Sequence, residues 1–320
     1  MGSPLKKVIL EGVVFDQMQY IDFAKVCQRI RIYRVVASLR HRDRHDRLDR
    51  RNDANMFAAF FNLIESLRTP PVKKVFFPSL PVNRKLVLWY AGHLVREGST
   101  VEPASRLHEV DDLRKQGASL TFICNHLTYA DSHIIEALFL RLGFRDLADH
   151  IIHVAGQKTF EISRRVLTRS LNTVRVYQPK AEIDKQLKRK MNLRALKWAA
   201  HQKRRGYSLL VFPEGTRTRR HRRFSLHGAN PKTTFYFRGS SVVPLGLMGS
   251  ERIMPVGRVL PNPSTVRLHV GSPIQHSVIE KKLREENPED SDGDLRQKMM
   301  TYYMAQINSL LDPEYQFRGD

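Results

Sequence analysis

Two short stretches of this chain carry residue types that can move a proton and hold an anion. The first reads Phe122-Ile-Cys-Asn-His126-Leu-Thr-Tyr-Ala-Asp131. Imidazole is the side chain whose ordinary pKa lies nearest neutrality, and a carboxylate on one ring nitrogen fixes its tautomer and orientation. A His at the end of an apolar run, with an Asp five residues on, is therefore an acid–base pair in outline. The same Asp has a second reading, because Thr128-x-x-Asp131 is a capping box that starts a helix without any catalysis. The second stretch reads Leu209-Leu-Val-Phe-Pro-Glu214-Gly215-Thr-Arg217-Thr-Arg219. Guanidinium groups grip phosphate through planar, bidentate hydrogen bonds that a lysine cannot match. A surface loop with solvated arginines would read the same way. Backbone amides near Gly215 offer an oxyanion site. Cys124, two residues before His126, reads as a core residue.

These residues need elements to position them. Short apolar runs at 120–124, 151–155, 174–177, 209–212, 242–247 and 266–270 alternate with amphipathic stretches near 131–142, 160–171 and 182–204. That alternation predicts an α/β fold over residues 101–320, with a largely parallel central sheet flanked by helices. Both chemical stretches then follow the carboxyl ends of strands, the edge of such a sheet where ligands bind. Residues 1–100 read as a helical subdomain. Phe57, Phe60, Phe61, Ile64 and Leu67 form a stripe of helical period that stops at Thr69-Pro70-Pro71. A second helix is expected from about 83 to 96, after a turn marked by Pro78 and Pro81, and Val75-Phe76-Phe77 is expected in the core. The stretch from Glu280 to Asp294 is acidic and contains Pro and Gly, and a last amphipathic helix is expected over 295–311.

Composition narrows the classes. The chain has 320 residues, 54 Lys and Arg against 32 Asp and Glu, and a formal net charge of +22. A hydrophobic share of 41% is enough for a core and excludes a wholly disordered basic chain. Two cysteines exclude a disulfide scaffold and a cysteine-built zinc site. His126, His133, His150 and His153 lack the HxxxH spacing of a metal site, so no metal is expected. No apolar run is long enough to cross a bilayer. The charge attracts polyanions, yet no nucleic-acid-binding motif is present. In the run from Arg40 to Arg51, six Arg are interleaved with three Asp, whereas the run from Arg217 to Arg223 contains no acid.

Asn125-His126-x4-Asp131, followed about 80 residues later by Phe212-Pro-Glu-Gly-Thr-Arg217, resembles the glycerophospholipid acyltransferase superfamily (the HX4D and FPEGTR motifs). Between the motifs, Asn172-Thr-Val-Arg-Val-Tyr-Gln-Pro-Lys180 and Lys188-Arg-Lys-Met-Asn-Leu-Arg-Ala-Leu-Lys197 are most similar to soluble plastid-type glycerol-3-phosphate acyltransferases, which also place a helical domain first. The similarity covers about 118 to 275. There are departures. Plastid-type enzymes have a His where this chain has Ala181, and the FPEGTR form is typical of lysophosphatidic acid acyltransferases. The Phe-Ile-Asp-Arg block of those enzymes is absent, with Val-Arg-Val-Tyr-Gln in its place.

The resemblance implies an enzyme of the first step of phospholipid synthesis. It would move a fatty acyl group from acyl-CoA or acyl-ACP to the sn-1 hydroxyl of glycerol-3-phosphate, with no permanently bound cofactor. His126 would be the general base and Asp131 its orienting partner. Lys180, Glu214, Gly215, Arg217 and Arg219 would hold the acceptor's phosphate region. The nearest alternative acceptor is lysophosphatidic acid. A different class of alternative is a basic membrane- or nucleic-acid-binding protein on an inactive acyltransferase fold. The expected partners are the acceptor, acyl carrier protein or a coenzyme A thioester, and an anionic membrane touched peripherally. The expected place is the cytoplasm or an organelle stroma.

Overall fold

A computed structural model describes residues 70–179, 181–217, 229–255 and 261–317. The Phe57–Leu67 stripe, Cys27, Lys180, Arg219 and the basic runs 40–51 and 218–223 lie outside the described residues. In chain order the described elements are β1 (Phe76–Phe77), α1 (Pro81–Leu94), β2 (Thr100–Glu102), α2 (Ala104–Lys115), β3 (Leu120–Cys124), α3 (Asp131–Arg141), α4 (Arg145–Asp149), β4 (Ile151–Gly156) and α5 (Ile162–Thr168). Then follow β5 (Thr173–Val176), α6 (Lys185–Lys203), β6 (Ser208–Val211), β7 (Ser241–Met248), α7 (Ser250–Ile253), β8 (Arg267–Val270), β9 (Ile274–Gln275), α8 (His276–Glu286) and α9 (Asp292–Ser309). One sheet runs in the order β1-β5-β4-β6-β3-β7-β8-β2, with β9 against β7.

The fold is α/β with a largely parallel central sheet. β5, β4, β6, β3 and β7 are mutually parallel. β1 and β8 are antiparallel to their inner neighbours, and β2 is parallel to β8. The parallel strands are apolar runs because helices cover both of their faces, so alternation has no solvent side to mark. Phe122, Cys124, Leu210, Val243 and Leu245 point to the face covered by α1 to α4, where Leu94, Leu107, Ile134, Leu138 and Leu147 meet them. Their chain neighbours face the other way: Ile123 and Val242 pack on Met300, Met304 and Ile307 of α9. Leu209 and Val211 pack on Met191, Ala195 and Ala199 of α6. Cys124 is fully buried, and burial pushes its thiol pKa well up.

Residues 70–100, within the span expected as helical, supply the edge strand β1 and helix α1 to this sheet unit. Phe76 pairs with Val174 and stacks on Trp198 at 3.8 Å, and Val75 and Phe77 are buried. Pro81 opens α1, where its fixed φ costs nothing and its missing N–H is not needed. The first part of the acidic stretch 280–294 belongs to α8, held on its exposed face by Lys281–Glu285 and Lys282–Glu286 pairs at i,i+4. Among the described residues, no helix is long and apolar enough to cross a membrane.

Candidate active site

Register brings the two chemical stretches together. β3 and β6 are adjacent and parallel, with Ile123 opposite Val211. His126 and Glu214 each lie three residues further on, so the two loops leave the sheet side by side. The backbone N–H of His126 donates to Glu214 Oε1 at 2.8 Å, closing that junction. On the other side of β3, the Asn125 amide pairs with Leu247 as a strand residue would. Its Nδ2 donates to Leu247 O at 2.8 Å, and its Oδ1 accepts from Leu247 N at 2.7 Å. The backbone is thereby released to turn while the ladder to β7 continues.

His126 Nδ1 lies 2.9 Å from Asp131 Oδ2, and the ring stacks on Phe212 at 4.3 Å. The same Oδ2 accepts the N–H groups of Leu127 at 2.7 Å and Thr128 at 2.9 Å. Oδ1 accepts the hydroxyls of Thr128 at 2.9 Å and Ser250 at 2.7 Å. Asp131 accepts from the Thr128 N–H, one of the two reciprocal bonds of a capping box, while α3 begins at Asp131 itself behind Ala130, and the same carboxylate holds the imidazole. Asp131 is fully buried among donors, so its carboxylate acts as an acceptor throughout. Nδ1 must then carry the proton, and the lone pair of the ring falls on Nε2. Nε2 has no partner among the described residues, and the side chain keeps 18% of its exposure.

The other motif residues divide into two tasks. Glu214 is nearly buried and turns a carboxylate oxygen to the His126 loop, a positioning role that suits an anion better than gripping phosphate does. Gly215 adopts φ +63°, which a side chain resists, and its N–H donates to Phe212 O at 3.0 Å. That amide closes the turn. The carbonyl of Gly215 accepts from Gln178 Nε2 at 2.9 Å, which ties the end of β5 to this loop. Among the described motif residues Arg217 is the cation: its guanidinium carbon lies 3.6 Å from the ring centre of Tyr129. Tyr129 belongs to the His126 loop.

Four contributors escape a sequence reading: Ser250, Gln178, Tyr129 as a platform, and Arg164 of α5, whose guanidinium also lies over Tyr129, at 4.4 Å. Ser250 follows Gly249, whose φ of +86° and 2.4 Å clearance to Thr265 O at a Cβ position require glycine. The three other histidines weighed as metal ligands have partners of their own. His133 Nε2 meets Ser170 Oγ at 2.9 Å, His150 Nδ1 meets Asp146, and His153 Nε2 meets Glu136 Oε1 at 2.6 Å. Burial pushes the pKa of His133 down to about 4.

The Acyltransferase family model matches residues 105–247, the span that carries both motifs. No curated protein matches the chain. Among solved structures, the chain is similar to the 1-acyl-sn-glycerophosphate (LPA) acyltransferase PlsC from Thermotoga maritima. Identity there is 17%, over 79% of this chain and 88% of that one, with a TM-score of 0.45.

Proposed function

We propose that the chain is a glycerolipid O-acyltransferase, moving a fatty acyl group from acyl-CoA or acyl-ACP to the sn-1 hydroxyl of glycerol-3-phosphate. The observation that carries the reading is the donor-saturated Asp131, which leaves His126 with its free lone pair on Nε2. That nitrogen takes the acceptor's hydroxyl proton as the oxygen attacks the thioester carbonyl. The C–S bond then breaks, and the imidazolium returns its proton to the leaving thiolate. Asp131 stabilises the imidazolium while it lasts. Transfer is direct: no Ser or Cys is bonded to His126 among the described residues, and Cys124 is sealed in the core with a raised pKa. Arg217 holds the acceptor's phosphate, with Lys180 and Arg219 as further expected contacts, and so sets the hydroxyl against Nε2. Glu214 and Gly215 shape the loop that presents Arg217. The chemistry calls for no permanently bound cofactor. The excess positive charge suits the acidic carrier protein or phosphorylated coenzyme A, and peripheral contact with an anionic membrane that receives the product.

The FPEGTR form of the second motif favours a second acceptor, lysophosphatidic acid, on the same machinery. The deciding experiment supplies a labelled acyl group on both coenzyme A and acyl carrier protein, to glycerol-3-phosphate and to lysophosphatidic acid. His126→Ala runs alongside. Product from glycerol-3-phosphate that vanishes in the variant is the expected result. Product from lysophosphatidic acid alone transfers the reading to that acceptor, and no His126-dependent product overturns both.

A further inference from the structure

We propose that Arg164 is a second guanidinium contact to the acceptor's phosphate, held beside Arg217 by the ring of Tyr129. The inference rests on the acyl-transfer reading above and adds a residue to its acceptor site. Tyr129 and Arg217 come from the loops after β3 and β6, and Arg164 from α5 after β4, three strands that are neighbours in the sheet. The guanidinium carbons of Arg217 and Arg164 lie 3.6 Å and 4.4 Å from the same ring centre. Both distances share one origin, so the two cations are no more than about 8 Å apart. A phosphorus atom bonded through its oxygens to a guanidinium sits about 4 Å from the central carbon, so guanidiniums within about 8 Å of each other are close enough to share one phosphate.

The remaining bonds of Arg164 leave room for such a ligand. Its Nη1 donates to Lys158 O at 3.0 Å and to Glu161 Oε2 at 2.8 Å. Both bonds use one nitrogen. The edge formed by Nη2 and Nε has no partner among the described residues, and that is the edge that makes paired, parallel bonds to an oxyanion. Glu161 thus steers Arg164 without occupying its bidentate side. Arg217 has the ring as its contact and no carboxylate partner among the described residues. Two like charges on one ring repel each other, and a dianionic phosphate between them removes that repulsion. It also explains why Tyr129, next to the reactive His126, carries arginines on its ring. The hydroxyl to be acylated is then placed by the loop that holds its base.

The test compares glycerol-3-phosphate with glycerol as acceptor, in the wild-type chain and in Arg164→Ala and Arg164→Gln, the second in case the first folds poorly. Loss of a charged, bidentate contact should raise KM for glycerol-3-phosphate by about 10-fold or more, with kcat at saturation nearly kept. Slow transfer to glycerol, which has no phosphate, should not change. Arg164→Lys should restore only part of the loss, because a point charge cannot pair in parallel. Arg238→Ala controls for the removal of one positive charge. Arg238 also lies over an aromatic ring shared with another arginine, Phe235 with Arg296, but it precedes β7 at the opposite edge of the sheet. An unchanged KM in both Arg164 variants, with turnover still dependent on His126, overturns the proposal and leaves the acyl-transfer reading standing. So does an equal loss with glycerol. If no His126-dependent transfer is found at all, the acyl-transfer reading fails, and titration with inorganic phosphate tests Arg164 alone: binding at least about 10-fold weaker in Arg164→Gln supports the contact, and equal binding overturns it.

Discussion

Helix α3 carries two histidine–carboxylate pairs, and their difference separates a working base from a structural tie. At its first residue, Asp131 holds His126 at 2.9 Å; one turn and a half further on, Glu136 holds His153 at 2.6 Å. Both carboxylates are fully buried. The surroundings diverge from there. The oxygens of Asp131 are filled by neutral donors, two N–H groups and two hydroxyls, which fix the imidazole and add no charge. The second oxygen of Glu136 is filled by the Arg84 guanidinium at 2.6 Å, a counter-charge that ties α1 to α3. His126 keeps 18% of its side-chain exposure against 4% for His153, and the second ring nitrogen of His153 is buried with no partner among the described residues. A base needs a lone pair that a substrate can reach. Distance between His and carboxylate does not report that; the fate of the other nitrogen does.

Substitutions at the two histidines should therefore dissociate activity from stability. His126→Ala should cost about 10³-fold in kcat/KM with a melting temperature close to the wild type, because its ring is partly exposed and Asp131 keeps four other donors. Glu136→Gln should do the reverse. It leaves the Arg84 charge with only the exposed Asp149 carboxylate, so unfolding free energy should fall by roughly 3 kcal/mol while kcat/KM of the remaining folded protein holds. Denaturant unfolding alongside acyl transfer reads both. A variant at Glu136 that abolishes turnover in folded protein would erase the distinction.

The same buried cluster should govern acid stability. His133 feels the charges of Glu136, His153 and Arg84, and burial, the largest influence, holds its pKa at about 4. The unfolded chain takes up its proton near 6.5 and the folded one only near 4, so between these values the unfolded state binds more protons. Stability from this group is complete above pH 6.5 and is lost as pH falls toward 4, roughly 3 kcal/mol in all. In His133→Asn the slope of unfolding free energy against pH should flatten over this window, while the pH profile of acyl transfer keeps its wild-type shape. A slope unchanged by the substitution would assign the acid loss to other groups.

What the sequence makes legible follows from how local each signal is. The run 120–124 coincides with β3, and the other five runs fall within a residue or two of β4 to β8, because the inner strands are covered on both faces and even β8, with Arg267 exposed, buries Leu268 and Val270. α2 and α8 escaped notice because each buries only two or three side chains and is otherwise charged. The core of the site was legible as far as it is local. His126, Thr128 and Asp131 lie within six residues, and Arg217 stands in a loop after an apolar run. Ser250 meets Asp131 from 119 residues away, and Arg164 meets Tyr129 only because β4, β6 and β3 are neighbours. Strand order is a property of the folded sheet and leaves no periodic trace.

Ser250 gives the finest test of the comparison, since it touches the carboxylate of the working pair and nothing of the base itself. Its hydroxyl donates to Oδ1, whereas His126 is held by Oδ2. Removing it in Ser250→Ala leaves the imidazole's own bond and both backbone donors in place. The lost bond should cost about 1 kcal/mol of stability, and a slight freedom of the carboxylate should lower kcat less than about 10-fold, with KM for the acceptor unchanged. Asp131 then serves as a clamp with redundant jaws, and a neutral donor is the part most easily spared. A fall in kcat as deep as that of His126→Ala would mean instead that this hydroxyl reaches the reacting atoms, and the division of Asp131 into two separately tasked oxygens would fail.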